Sequence, residues 1–228
     1  MSSEVSDILE LKGNYDEDQI KQMNDLCIET DYDDNIIGSV SKFECHLMRN
    51  INKGMVHRAL SVLIFNENNE FLLTQRSMEK ITFPGVYTNT VCSHPLYCET
   101  EMDGIRGAQK AAQRRVMFEL GVNVEDVPLH DFQFMTRFHY TASSNDTWGE
   151  NEISYVFIVH KNVRINPNPN EVMSAKYYSK NQLDLFINAN RKQLTPWFSF
   201  VFDAFLYNWW NNLDNLDKYR NEKTIHRF

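Results

Sequence analysis

Cys92 and His94 stand two residues apart in Thr88-Asn89-Thr90-Val91-Cys92-Ser93-His94-Pro95. Glu150 and Glu152 stand two apart in Trp148-Gly149-Glu150-Asn151-Glu152. In extended chain, alternate side chains leave the same face. Each pair therefore presents its two groups together if its segment is a strand, and the apolar run Ile153 to Val159 supports this for the carboxylates. Groups this polar do not fill a core without partners. The chemistry they suggest is metal binding coupled to proton transfer. His46 follows Cys45, and His57 precedes Arg58. With His94, Glu150 and Glu152 they make three imidazoles and two carboxylates, a donor set suited to Mg, Mn, Fe or Zn. Taken singly, each histidine fits a surface or hydrogen-bonded role better, and the chain has no His-Glu-x-x-His signature. A structural zinc site from Cys45, Cys92, Cys98 and a histidine is the other metal reading, although their spacing is not that of a zinc knuckle.

The cations form a second group. Lys42 lies four residues before His46; Arg76 and Lys80 flank the loop after an apolar run; Arg114 and Arg115 lie on an expected helix. Lysines and arginines converging from different segments can clamp a diphosphate, with arginine supplying forked donors. Scattered surface charge explains each of them better in isolation. Arg115 and Glu119 are spaced i, i+4 and share a helix face. A carboxylate there could hold a magnesium shared with a diphosphate. It could equally be an ordinary ion pair worth ~0.3–0.5 kcal/mol.

The elements that must position these groups are legible from periodicity. Leu60 to Phe65 and Phe71 to Arg76 read as strands joined by a hairpin loop, Asn66 to Glu70. Gly104 to Leu120 reads as a helix with Gly121 as its stop. Phe132 to Tyr140 and Ile153 to His160 read as further strands, and Asn166 to Asn170 as a turn. Trp197 to Leu213 carries aromatics at helical spacing and should be a buried helix. Near the start, Asp18 to Cys27 could form a helix, and Asp31 to Asn35 is a turn signal. Strands interleaved with helices predict an α/β (α+β) fold on one mixed sheet. The expected organisation is an N-terminal arm, residues 1–30, and one catalytic domain, 31–228, with its core at about 55–200.

A chain of 228 residues with 42% hydrophobic content and 13% aromatic content can bury a substantial core. Its net charge of −8 argues against general affinity for nucleic acid or anionic membranes. No stretch reaches the ~18 apolar residues of a membrane span. Four cysteines are too few for a disulfide scaffold of this size, and Met1-Ser2-Ser3-Glu4-Val5 is unlike a secretory or mitochondrial leader. A cytoplasmic monomer is expected. The tail Thr224-Ile225-His226-Arg227-Phe228 leaves a peroxisomal address as the alternative, although its aromatic end departs from Ser-Lys-Leu.

These residues resemble type I isopentenyl-diphosphate isomerases, Nudix-superfamily enzymes, in their longer eukaryotic form. The resemblance runs from about Asn24 to the C-terminus. It rests on Cys45-His46-Leu47, Gly54 to Ala59, Gln75-Arg76-Ser77, Lys80 to Gly85 and Thr88 to Pro95. It continues through Ala111 to Arg115, Glu119-Leu120-Gly121, Trp148 to Glu152 and Thr195 to Phe198. It implies a mixed sheet sandwiched between helices, an N-terminal arm and an aromatic C-terminal helix. It further implies that His46, His57, His94, Glu150 and Glu152 hold a divalent metal, Mg2+, Mn2+ or Zn2+. Cys92 and Glu152 would be the acid/base groups, Tyr140 the partner of the glutamate, and Trp197 the aromatic face for a carbocation. Lys42, Arg76, Lys80, Ser93 and Arg115 would bind the diphosphate of a small-molecule substrate. Glu119 would hold a magnesium bridged to it. The implied reaction is the interconversion of isopentenyl and dimethylallyl diphosphate. A Nudix diphosphohydrolase and a non-catalytic zinc-stabilised interaction domain are the alternatives. Aligned on Gly121, the Nudix hydrolase signature finds Arg106, Arg115 and Phe118 where acids should stand, although Arg114 and Glu119 are kept. A hydrolase needs those acids to gather metal and activate water.

Overall fold

The computed structural model describes residues 15–228. Asp16 opens α1 (Glu17–Gln22), the first helix among the described residues, its carboxylate accepting from the backbone N–H groups of Asp18 and Gln19. Two strands follow, β1 (Leu26–Thr30) and β2 (Ile36–Ser41), joined by the expected turn. The Asp31 carboxylate closes that turn on the N–H groups of Asp33 and Asn35. Two single-turn helices, α2 (Lys42–Cys45) and α3 (Met48–Ile51), lead into β3 (Val56–Phe65), which a hairpin joins to β4 (Phe71–Arg76). Short strands β5 (Tyr87–Thr88) and β6 (Val91–Ser93) precede the long helix α4 (Gly104–Leu120). Then come β7 (Gln133–Ser143), β8 (Gly149–His160), β9 (Val172–Tyr178) and α5 (Lys180–Asn190). Helix α6 (Pro196–Val201) passes through a π-helical turn, Phe202–Leu206, into α7 (Tyr207–Trp210). The last strand is β10 (Ile225–Arg227).

Among the described residues ten strands form one mixed sheet along the path β10-β7-β8-β3-β1-β2, with β4 and β6 also paired to β3, and β5 and β9 to β4. The pairs β3–β8 and β10–β7 are parallel; the remaining pairs are antiparallel. Every residue of β3 is buried, as a strand covered on both faces must be. Alternation divides its side chains between two cores. Leu60, Val62 and Ile64 of β3 and Tyr155, Phe157 and Val159 of β8 pack against Ala108, Ala111, Ala112, Val116 and Leu120 of α4. Leu63 and Phe65, with Val156 and Ile158, face Phe198, Val201, Trp209 and Trp210 from the C-terminal helices. The sheet is thus sandwiched between helices. Helix α4 stops at Gly121, whose φ of 62° lies in the left-handed region that suits a residue without Cβ.

Several boundaries differ from expectation. The helix expected over Asp18 to Cys27 ends at Gln22, and Leu26 to Thr30, counted with the arm, form β1, hydrogen-bonded to β2 and β3. The rest of that arm, 1–14, lies outside the described residues. The helix expected over Trp197 to Leu213 begins at Pro196 and contains the π turn, which resets its aromatic face. β8 begins at Gly149, ahead of its apolar run, so both candidate carboxylates stand within a strand.

Candidate active site

The site assembles where β3 and β8 run side by side. Their parallel register sets His57 opposite Glu152. Glu150 shares the face of Glu152 by strand alternation, and the Glu150 Oε2 lies 3.7 Å from His57 Nε2, with Glu152 Oε2 at 3.5 Å. His46 arrives from the end of α2. Its ring is fixed by the Nδ1–H donating to the Lys42 carbonyl at 2.6 Å, which turns Nε2 to Glu150 Oε2 at 3.0 Å. The α2–α3 segment is tied to the start of β8 by Gly149 N–H donating to His46 O and by Met48 N–H donating to Thr147 O. This approach requires a glycine: a Cβ at residue 149 would meet Met48 Sδ at 2.4 Å and Ala142 O at 2.7 Å. His94 enters from the end of β6 with Nε2 at 3.3 Å from Glu152 Oε2.

Single ligand atoms of His46, His57, His94 and Glu150 all lie within 4.8 Å of one another. His46 Nε2, both ring nitrogens of His57 and Glu150 Oε2 are buried without a hydrogen-bond partner. Such groups are costly unless something else satisfies them. Burial holds His57 down to about 3, and it lowers His94 too, so both imidazoles keep the lone pairs a metal takes. Burial alone would lift the Glu150 carboxyl, but His46 and His57 beside it bring it down to about 2. Glu152 moves the other way, raised first by burial and then by the like charge of Glu150. The cluster fits a divalent metal by donor type and by its orphaned atoms. The thiolate alternative is not assembled: Cys45 packs with Cys27 and Val40, Cys98 contacts Thr100, Cys92 contacts Thr88, Asn89 and Trp197, and among the described residues the candidate ligand group contains no thiol.

Tyr140, on β7 opposite Glu152, donates its O–H to Glu152 Oε1 at 2.6 Å and is fully buried. Cys92 sits on β6 opposite Ser61. Its thiol donates to Asn89 Oδ1 at 2.9 Å and accepts from the Trp197 indole N–H at 2.9 Å. Asn89 is oriented unambiguously, since its Nδ2 donates to the carbonyls of Val62 and Val91. Burial pushes the Cys92 thiol up to about 12, outweighing its hydrogen bonds with Thr88 and Trp197 and the positive charge of Arg76, so it rests protonated. Trp197 is held by a second N–H contact, to Thr88 Oγ1, and lies 5.8 Å from the Tyr140 ring.

One cavity is bordered by Cys92, Ser93, His94, Tyr140, Glu150, Glu152 and Trp197, and by the cations Lys42, Arg76 and Lys80. Arg76 is aimed by donating to the carbonyls of Thr82 and Phe83. Arg115 borders an adjoining recess that shares Lys42, Ser93 and His94 with the first. Glu119 borders neither hollow and accepts both Nε and Nη2 of Arg115. Sequence reasoning missed Glu171, a buried acid bound to Lys80 and Arg115, and it missed the Thr88–Asn89 support of the thiol.

Residues 55–198 match the NUDIX domain family. A Gibberella zeae isopentenyl-diphosphate delta-isomerase is 48% identical over 94% of this chain and 87% of its own length. The Bos taurus isopentenyl-diphosphate Delta-isomerase 1 is 46% identical over 93% of this chain and 96% of its own. The chain belongs to the isopentenyl-diphosphate delta-isomerase family. Among solved structures, DR0079 from Deinococcus radiodurans shares the fold at a TM-score of 0.55, with 14% identity, over 79% of this chain and 99% of its own. The α4 face agrees with an isomerase of Nudix fold. Where the hydrolase signature would place acids, the Arg115 guanidinium stacks on Phe118 at 4.7 Å, and Arg106 borders a separate surface hollow with His130 and Gln133.

Proposed function

We propose that the protein interconverts isopentenyl diphosphate and dimethylallyl diphosphate. The observation that carries this is the meeting of a neutral thiol, Cys92, and a hydrogen-bonded Glu152–Tyr140 pair in one cavity with Trp197. Moving a double bond by one carbon needs a proton added to an unactivated alkene and another removed from the neighbouring carbon. That places acid/base groups on two sides of the substrate, the roles proposed for Cys92 and for Glu152 with Tyr140. The passing tertiary cation has no heteroatom beside it. The π face of Trp197 is proposed to stabilise it, by ~2 kcal/mol or more in a desolvated site. Water would trap the same cation as an alcohol, and the enclosure of Cys92 by Trp197, Thr88 and Asn89 helps to exclude it.

Lys42, Arg76, Lys80, Ser93 and Arg115 are proposed to hold the diphosphate, and Glu119 to hold the magnesium that accompanies it. His46, His57, His94, Glu150 and Glu152 would hold a first divalent ion, Mg2+, Mn2+ or Zn2+, which when bound would lock the Glu152 carboxylate in place and compensate charge beside it. The anion-handling groups come from α2 (Lys42), the end of β4 (Arg76), the loop after it (Lys80), the end of β6 (Ser93) and α4 (Arg115).

The test is proton NMR of the metal-loaded protein with isopentenyl diphosphate and magnesium in deuterated water. Conversion to dimethylallyl diphosphate, with deuterium entering an allylic methyl and no free phosphate, is the expected result. Phosphate release without isomerisation would overturn the proposal.

A further inference from the structure

Lys80 and Arg115 meet at a buried acid that the proposed reaction leaves without a role. Glu171, 3% exposed, stands immediately before β9. Its Oε2 accepts from Lys80 Nζ at 2.5 Å and from Arg115 Nη2 at 3.2 Å. Its Oε1 accepts from Gln22 Nε2 at 2.7 Å and from Gln19 Nε2 at 3.1 Å. Four donors from α1, from the loop after β4 and from α4 therefore converge on one carboxylate. Burial opposes its ionisation, yet Lys80 and Arg115 outweigh that and hold the carboxyl well below the usual range. Glu171 borders neither the cavity nor the adjoining recess, whereas Lys80 borders the first and Arg115 the second. It therefore has no surface to offer a ligand and acts through its partners.

We propose that Glu171 is a positioning residue for the diphosphate, aligning the Lys80 ammonium and the Arg115 guanidinium and anchoring both to α1 through Gln19 and Gln22. The proposal rests on the diphosphate reading of the cavity. A buried anion behind two cations could weaken an incoming anion by competing for them. Here alignment dominates, because a buried lysine holds its proton only while a counter-charge is near. Burial brings Lys80 down to about 8; Glu171 is the foremost group keeping it protonated, against Lys42 and Arg76, with Glu119 adding support. Without Glu171 the ammonium would lose the foremost group that keeps it protonated, and of its hydrogen-bond acceptors Arg115 would keep Glu119 and Gln22.

The experiment compares the metal-saturated full chain with its Glu171→Gln variant, which keeps size and one acceptor but removes the charge. The KM for isopentenyl diphosphate should rise ~10- to 100-fold with kcat within about threefold, the signature of lost ligand binding. The inhibition constant of inorganic pyrophosphate should rise by the same factor. Between pH 6.5 and 8 the KM of the variant should climb more steeply than that of the wild type. Its Lys80 sheds its proton earlier, while Lys42, Arg76 and Glu119 around it are unchanged. A lower melting temperature with pyrophosphate inhibition unmoved would reduce Glu171 to a structural role and overturn the proposal. Should the variant not fold, Gln22→Leu removes one donor to Glu171, together with the Gln22 Oε1 acceptor of Arg115, and keeps the Glu171 charge. It should raise both constants about threefold, and no change in either would overturn the proposal. If the wild type does not isomerise, calorimetric pyrophosphate binding to wild type and variant still decides the role of Glu171, separately from the reaction.

Discussion

Tyr140→Phe isolates one atom of the proposed proton path. The phenol oxygen donates to Glu152 Oε1 at 2.6 Å, while the ring packs on Phe138, Trp197 and Phe200 at centroid distances of 5.7, 5.8 and 6.1 Å. Phenylalanine keeps those ring contacts, so the substitution subtracts a hydrogen bond and little else. A hydrogen bond to a charged group contributes ~1.5–3 kcal/mol. If that stabilisation is expressed while Glu152 exchanges its proton, kcat falls ~10- to 150-fold. KM should stay within about twofold, because the lost oxygen contacts none of the cations proposed to bind the diphosphate. Stability should fall by less than ~2 kcal/mol, since the ring and its burial persist. Initial rates of isopentenyl diphosphate isomerisation and a urea titration of the same preparations supply all three numbers. An unchanged kcat in a folded variant would refute the assignment of Tyr140 to the proton path. A rise in KM alone would place the residue with substrate binding instead.

Cys92→Ser keeps the hydrogen bonds to Asn89 and Trp197 but replaces the soft thiol; turnover should fall ~10²- to 10⁴-fold, the usual contribution of a general acid or base, with the melting temperature nearly unchanged in a thermal scan. Asp34→Asn removes the charge at a buried junction where Arg58 Nε (2.9 Å), Arg137 Nη1 (2.6 Å) and the Tyr155 hydroxyl all bind the Asp34 carboxylate. Asparagine tolerates the φ of 70° at this position. The loss should therefore be electrostatic, ~3–5 kcal/mol in a denaturant titration, with activity at saturating substrate retained. Acid should erase the contribution of Glu171 to stability. Its folded carboxyl lies below its ordinary value of 4.5, so the stabilisation is complete above pH 4.5 and fades as pH falls towards the folded value. The stability gap between wild type and Glu171→Gln, measured by denaturation from pH 7 down to pH 3, should narrow along that path; a gap that widened would contradict the sign.

Local rules carried the proximity of the reactive groups a long way. Strand parity paired Glu150 with Glu152, and the apolar run after them located the strand, though its start at Gly149 lay in polar sequence. The hairpin at Asn66 to Glu70 and the helix stop at Gly121 were legible because turn and cap residues announce themselves. Relations across the chain were not. Nothing near Glu171 marks it as special, since the donors on it lie 56, 91, 149 and 152 residues away. The helix expected over Asp18 to Cys27 takes in Cys27, whereas hydrogen bonding to β2 decides its strand. The π turn likewise leaves no period of its own, because aromatics spaced for an α-helix also suit a helix carrying one extra residue. The candidate metal ligands were named by residue type and by resemblance, but the segment carrying His46 is brought to Glu150 by backbone contacts across Gly149 that no spacing foretells.

The register that sets His57 beside Glu152 also bears on how the chain is made. Those neighbours are separated by 152 − 57 = 95 residues. Closing so long a span is entropically unrewarded until the parallel ladder forms, and such non-local pairings slow folding. A chain growing from its N-terminus therefore exposes His46, His57 and His94 well before either carboxylate exists. Through that interval the three imidazoles would be separate, loosely held ligands, open to whatever ion is abundant. Any selection among metals would then belong to the finished sheet, and a polypeptide halted before residue 150 would lack the carboxylate of the candidate ligand group.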